Sequence, residues 1–94
     1  MLHKVLKATS DLSGINKTHL LMRSQYESHY IARIMAVYLA HYMALCSLNQ
    51  LASLFGMTQR AIAYQVREAK RRKESDIAFA ARLNEIACMV ICSE

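Results

Sequence analysis

The stretch that decides the fold spans residues 47 to 69 and reads SLNQLASLFGMTQRAIAYQVREA. Ser47 is placed to cap a helix, with Gln50 three residues later as its partner in a capping box. The apolar residues that follow recur at helical spacing: Leu48, Leu51, Ala52 and Phe55. Gly56 is placed to end this helix in the left-handed conformation, and Thr58 to cap the next one. Two helices joined by a short turn that contains glycine form a helix-turn-helix pattern.

The helix that follows Thr58 is predicted to have two opposite faces. At about 100° per residue, Ile62, Val66 and Ala69 fall in one narrow sector and mark the core side. The opposite side, about 140° to 200° away, carries Arg60, Tyr64, Arg67 and Arg71. The pattern therefore predicts an exposed cationic stripe behind a buried face.

The composition supports a single all-helical domain over residues 1–94. The chain contains no proline and two glycines, so little interrupts helices, whereas β-sheet proteins need frequent turn residues. Hydrophobic residues make up 54% of the sequence, which is enough to form a core. We expect a compact all-α bundle of about five to six helices.

Periodicity and turn residues place four further helices at about 2–8, 17–22, 29–45 and 76–91. Ser28 is predicted to cap the third, which is apolar nearly all round and therefore belongs at the centre. Ser75 precedes the last helix, although the seam before it could also be continuous helix. The last helix has one stripe of bulky apolar residues, namely Phe79, Leu83, Ile86 and Val90.

The cysteines indicate neither disulfides nor a metal site. Cys46, Cys88 and Cys92 are odd in number and form no CxxC pair. Cys88 and Cys92 lie four residues apart on one helical face, and packing in the core is favoured over metal binding because cysteine is usually buried. Reduced thiols are expected.

No residue constellation indicates catalysis. The four histidines are scattered, so surface or interhelical positions are expected for His3, His19, His29 and His41. Nucleotide-binding and hydrolase motifs are absent from the sequence. The aromatic residues of the long helix are predicted to pack in the core with their hydroxyls at its edge, namely Tyr30, Tyr38 and Tyr42. We expect no enzymatic activity and no cofactor.

The excess charge is confined to the helix after Thr58. The chain has a net charge of +5, and residues 59–73 contain six basic residues and one acidic residue, which alone give +5. Such a focused field attracts a polyanion. Duplex DNA is the predicted partner, with Gln59, Arg60 and Tyr64 near the helix start contacting bases, and Arg67 and Arg71 contacting the backbone.

No secretory or membrane-spanning segment is expected. The first nine residues lack a sustained apolar run, and the most apolar segment, 34–46, is shorter than the roughly 20 residues that span a bilayer. The cytoplasm is the expected location. The apolar tail, 87–92, could complete the core or form a homodimer interface.

The chain resembles the C-terminal DNA-binding domain (domain IV) of the bacterial replication initiator DnaA, a Trp-repressor-like helical bundle. The resemblance begins near Ile15, continues through Leu20-Leu21, and is clearest at Arg33, the segment 35–40, Ser47-Leu48 and Phe55-Gly56. It covers nearly the whole chain and implies a bacterial DNA-binding regulator of transcription or replication.

The resemblance also implies further contacts and a divergent recognition helix. The family's minor-groove loop falls on Arg23-Ser24-Gln25, so Arg23 and Gln25 are expected to contact DNA. Ser47 and the start of its helix are expected to hold a phosphate. The family's Asp-His-Thr-Thr run falls on Thr58-Gln59-Arg60-Ala61, so a different target sequence is expected.

Two alternatives to DNA binding remain open from the sequence. A degenerate helix-turn-helix could engage an acidic protein partner, because the family's diagnostic run and most of its basic loop are replaced. RNA binding is less favoured, because readers of single strands usually expose several stacking aromatics and this face offers only Tyr64.

Overall fold

The computed structural model describes residues 2–21 and 26–92 and arranges them as six α-helices. They are α1 (Leu2–Ser13), α2 (Lys17–Leu21), α3 (Glu27–Tyr42), α4 (Leu48–Phe55), α5 (Gln59–Ser75) and α6 (Ile77–Cys92). These two stretches contain no β-strand. The predicted all-α fold is confirmed.

α3 lies at the centre of the bundle and contacts α1, α2, α4 and α5. Its buried residues include Ile34, Ala36, Val37 and Ala40, none of which has exposed surface. Arg33 is also buried, and its Nε donates to the backbone oxygen of Leu20 at 3.0 Å, which ties α2 to α3. A helix that is apolar on most sides needs this central position, as the sequence predicts.

The turn between α4 and α5 has the predicted local chemistry. The Ser47 hydroxyl accepts from the Gln50 backbone N–H at 3.1 Å, and the Gln50 side chain accepts from the Ser47 N–H at 2.8 Å. Gly56 adopts the left-handed conformation with φ 64°. The Thr58 hydroxyl accepts from the Ala61 N–H at 3.1 Å. The predicted pair of helices and the turn between them are confirmed.

Gly56→Ala should destabilise the fold by about 1 kcal/mol, because an L side chain is disfavoured in the left-handed region. A Cβ at this position would meet no atom within 4 Å, so the cost is backbone strain alone. Urea unfolding measures it, and Ser53→Ala on exposed α4 surface is the control. A Gly56→Ala protein as stable as the control would contradict this interpretation of the turn.

The core faces of α5 and α6 agree with the helical periodicity. Ile62 and Ala69 have no exposed surface, and Val66 is buried. In α6 the buried residues are the predicted stripe of Phe79, Leu83, Ile86 and Val90. Both helices pack against each other, and α6 also packs against α1.

The predicted end of the first helix at residue 8 is wrong, because α1 continues to Ser13. Thr9 is fully buried, and its hydroxyl donates to the Val5 carbonyl at 2.7 Å. The Ser13 hydroxyl donates to the Thr9 carbonyl at 2.6 Å. Both hydroxyl groups are satisfied within the helix, so Thr9 and Ser13 do not break it.

The predicted bounds of the central helix also differ from the structure. α3 begins at Glu27, because the Tyr30 N–H already bonds to the Tyr26 carbonyl at 3.1 Å. Ser28 therefore lies within the first turn and is not the cap. The helix ends at Tyr42, and Leu45 then takes a left-handed φ of 56° that leads the chain towards α4.

α5 and α6 are separate helices with a single-residue break. Asp76 has an extended conformation, with φ −128° and ψ 108°. Its carboxylate accepts from the Phe79 backbone N–H at 3.1 Å. Asp76 is therefore the cap of α6, and Ser75, the predicted residue before the helix, is the last residue of α5.

Two predictions of burial are wrong. Cys88 and Cys92 are exposed, because the bulky stripe on the other side of α6 makes the core contacts. Tyr42 is 52% exposed at the end of α3, beyond the part of the helix that its neighbours cover. Among residues 2–21 and 26–92, no group of three or more His, Cys, Asp or Glu side chains could hold a metal ion.

The described histidines occupy surface or interhelical positions, as predicted. The rings of His19 and His29 stack between α2 and α3, with centroids 5.3 Å apart. His41 Nδ1 lies 2.9 Å from the Cys46 carbonyl oxygen, and His3 Nδ1 lies 3.2 Å from Lys17 Nζ. Among the described helices, none has the length and apolar character needed to cross a membrane.

Candidate nucleic-acid interface

The outer face of α5 carries the residues that the sequence analysis selected. Arg60, Tyr64, Arg67 and Arg71 are all exposed, and Tyr64 is 54% accessible. Because the buried residues of the helix are held by α3, α4 and α6, these four side chains project from a rigid support. We call them the arginine stripe.

Glu68 neutralises part of the charge at the C-terminal end of the stripe. Its carboxylate accepts from Arg71 Nε and from Arg72 Nε, each at 3.2 Å. The hydrogen bonds from Arg71 are the main reason that the pKa of Glu68 is lowered, and the same contact raises the pKa of Arg71. Arg71 is therefore a paired cation in the free protein.

Arg60 and Arg67 differ from Arg71 in this respect. Neither forms an ion pair within the described ranges, 2–21 and 26–92. Both lie in the N-terminal two-thirds of α5, the part of a second helix that approaches bases in helix-turn-helix proteins. The unneutralised charge of the stripe is thus concentrated towards the helix start.

Two other basic residues of α5 turn back towards α3. The Arg72 guanidinium lies 5.8 Å from the centroid of the Tyr30 ring, and Lys73 Nζ lies 5.8 Å from the centroid of the Tyr38 ring. Burial raises the pKa of the Tyr30 hydroxyl. These cation–π contacts hold the C-terminal half of α5 against the bundle.

The starts of α4 and α5 are linked by a side-chain hydrogen bond. Gln59 Nε2 donates to Asn49 Oδ1 at 3.1 Å. This bond uses one of the two N–H groups of Gln59, so its other N–H and its carbonyl oxygen can still contact a base edge. Ser47 and Thr58, the two cap residues, are exposed on this same end of the helix pair.

The structure places seven of the nine predicted site residues on one exposed region formed by α4, α5 and their caps. They are Ser47, Thr58, Gln59, Arg60, Tyr64, Arg67 and Arg71. The other two, Arg23 and Gln25, lie outside the described residues. The roles assigned to all nine remain predictions.

One residue that supports the site was missed by the sequence analysis. Gln65 is 4% exposed, and its Nε2 lies 3.7 Å from Met57 Sδ, in the turn before α5. On the helical wheel Gln65 lies about 40° from Ala69 and about 60° from Ile62, so helical periodicity already indicates that it is buried. Its Oε1 is buried without a hydrogen-bond partner among the described residues.

No protein-family model and no curated protein matches this chain. The geometry of α4 and α5 is therefore the basis for assigning a function.

Proposed function

We propose that this protein binds duplex DNA through a helix-turn-helix formed by α4 and α5 and has no catalytic activity of its own. The observation that supports this most is the exposure of the arginine stripe on the side of α5 opposite its buried residues. A helix held along one side can insert the other into the major groove, which is about 12 Å wide. Arginine suits this surface, since its planar group contacts guanine or phosphate with two hydrogen bonds.

The position of each side chain along α5 suggests its role. Gln59, Arg60 and Tyr64 lie within the first two turns, where side chains reach base edges. Arg67 and Arg71 lie further along, where the groove wall brings phosphates close to a helix. Ser47 caps α4, and the positive dipole end of that helix suits a phosphate of the same duplex.

The ion pair with Glu68 does not remove Arg71 from this surface. Arg71 is 64% accessible at its side chain, so water screens its attraction to Glu68. A phosphate adds two acceptor oxygens at the outer side of the guanidinium, where Arg71 retains N–H donors. Arg71 therefore changes or shares its partner on binding DNA.

Fluorescence anisotropy with a random-sequence duplex at two salt concentrations tests the proposal. Neutralising each phosphate contributes about −0.9 to the slope of log affinity against log salt, so contacts from Arg67 and Arg71 alone predict a slope of about −2. A polyglutamate titration under the same conditions provides the comparison. Tight polyglutamate binding without duplex binding would replace DNA by an acidic protein partner.

Glu68→Gln should strengthen duplex binding, because it removes a negative charge and releases Arg71 and Arg72 from their ion pair. The salt slope should stay near its native value, because Arg71 already counts as a phosphate contact in the native protein and Arg72 lies against α3. Anisotropy measures both quantities.

Glu74→Gln is the matched control, because Glu74 is an exposed carboxylate on the same helix. It makes the same change in net charge without releasing an arginine, so its effect should be smaller. Equal effects of the two variants would show that only net charge matters.

A regulatory role in transcription or replication, in the bacterial cytoplasm, fits a small DNA-binding module of this kind. The likeness to the DNA-binding domain of DnaA supports this part of the proposal through the segment from Arg33 to Gly56. Sequences selected from a random duplex pool would give the target.

A further inference from the structure

Two exposed cysteines lie close together near the end of α6. Cys88 and Cys92 are both exposed, although a free cysteine is among the residue types that are most often buried. Packing does not account for either thiol, because the buried residues of α6 lie on its other side. A thiol that packing does not use remains free for oxidation, disulfide exchange or metal binding.

The helical spacing of Cys88 and Cys92 allows one metal ion to bind both thiols. Residues four apart differ in direction by about 40° around a helix, and their Cβ atoms are about 5 to 6 Å apart. The same spacing lets two histidines of one helix bind one zinc ion. Each Sγ turns about a single side-chain bond, so the two sulfurs can close on one ion without a change in the backbone.

A third sulfur atom lies beside this pair. Met89 is 36% exposed, and it lines a groove between α1 and α6 together with Cys92. Around the helix, Met89 lies about 60° from Cys92. Its side chain is unbranched with three rotatable bonds, so its Sδ can reach an ion that the two thiols hold. We call Cys88, Met89 and Cys92 the α6 sulfur cluster.

The ligand types of the α6 sulfur cluster select the metal. Thiolate and thioether ligands favour Cu(I), zinc and iron–sulfur clusters, but structural zinc sites and iron–sulfur clusters use about four protein ligands. Within residues 2–21 and 26–92, no third His, Cys, Asp or Glu joins the two cysteines in such a group. Cu(I) is bound stably by fewer sulfur ligands. We propose that the cluster binds one Cu(I) ion through two thiolates and the Met89 thioether.

The charges around the cluster are compatible with this ion. When the two thiols bind Cu(I), they release two protons to solvent, so two thiolates and a monovalent cation leave one negative charge. Lys4, Lys7 and Asp11 line the groove beside the cluster, and Glu85 lies about 20° from Cys92 around α6. The two lysines balance the two carboxylates, so these four side chains do not oppose the formation of thiolates.

Competition with bicinchoninate, a coloured Cu(I) chelator, tests the site and does not depend on DNA binding. With reduced protein under anaerobic conditions, we expect each native chain to take a single Cu(I) ion from the chelator. Cys88→Ser and Cys92→Ser should each lose this binding with unchanged helical circular dichroism, because both side chains are exposed. Cys46→Ser, the same substitution outside α6, should bind like the native chain. No transfer to the native chain, one ion shared by two chains, or an equal loss in Cys46→Ser would overturn the proposal.

Met89→Leu then tests the thioether ligand, because leucine keeps a similar apolar volume and removes the sulfur. X-ray absorption at the copper edge should show only sulfur neighbours in the loaded native chain. In Met89→Leu it should show one sulfur neighbour fewer and a shorter mean Cu–S distance, and the variant should compete less well with the chelator. An unchanged copper spectrum would exclude Met89 as a ligand. Nitrogen or oxygen neighbours in the native chain would contradict an all-sulfur site.

Discussion

Ile62→Ala should lower the free energy of unfolding by about 2 to 5 kcal/mol, the cost of removing a large buried side chain and leaving a cavity. Ile62 has no exposed surface and lies at the start of α5, where that helix packs against α3 and α4. Urea or thermal unfolding followed by circular dichroism at 222 nm gives the value. Because the chain is small, a loss of this size approaches its whole stability.

Tyr64→Ala is the matched control on the opposite side of the same helix. Tyr64 is 54% exposed, so its removal should change the free energy of unfolding by no more than about 0.5 kcal/mol. The pair of variants tests the orientation of α5 directly. Equal destabilisation by both would mean that the stripe is not the outer face.

Arg60→Ala should have the largest effect on DNA recognition. We expect affinity for the selected target duplex to fall by about 1 to 3 kcal/mol, roughly fivefold to 150-fold, because a bidentate contact with a base is lost. Affinity for random duplexes should fall much less. Anisotropy titrations with target and random duplexes measure the two changes.

Arg71→Ala provides the contrast. A contact with a phosphate carries no direct sequence information, so this variant should weaken target and random duplexes alike and make the salt slope shallower by about 0.9. Its charge change equals that of Arg60→Ala. If both variants weakened every sequence equally, the assignment of Arg60 to bases and Arg71 to the backbone would be wrong.

Local chemistry explains why the helix-turn-helix could be predicted closely from the sequence. The capping box of Ser47 and Gln50, the left-handed Gly56 and the Thr58 cap each depend on atoms within four residues of one another. These hydrogen bonds are local, so they do not depend on the rest of the fold. Helical periodicity likewise predicts the buried side of α5, because the spacing of Ile62, Val66 and Ala69 places all three on one side of a helix.

Predictions that depended on tertiary context were less successful. The first helix is predicted to end at residue 8, yet packing against the bundle buries Thr9 within α1, where its hydroxyl donates to the Val5 carbonyl. Cys88 and Cys92 were predicted to be buried because cysteine usually is, but α6 already packs through its larger side chains. Residue propensities therefore predict the type of each element correctly, but they predict the burial of individual side chains less well.

For the charges of the site, too, the sequence predicts one part and the structure adds another. The sequence locates the excess charge on α5, and the spacing of Glu68 to Arg71 and Arg72 allows ion pairs three and four residues apart. Only the side-chain conformations show that one carboxylate contacts both arginines. In the structure, the unpaired charge of the stripe therefore lies on Arg60 and Arg67. Counting charges along the sequence does not distinguish these two arginines from Arg71.

The central claim is that the outer face of α5 contacts DNA, and amide chemical-shift mapping with a short duplex tests it most directly. We predict that the perturbed amides cluster at the start of α4 and along the exposed side of α5, from Gln59 to Arg71. Amides from Cys88 to Cys92 should be unaffected. Perturbations confined to α6, or none at saturating duplex, would contradict the account.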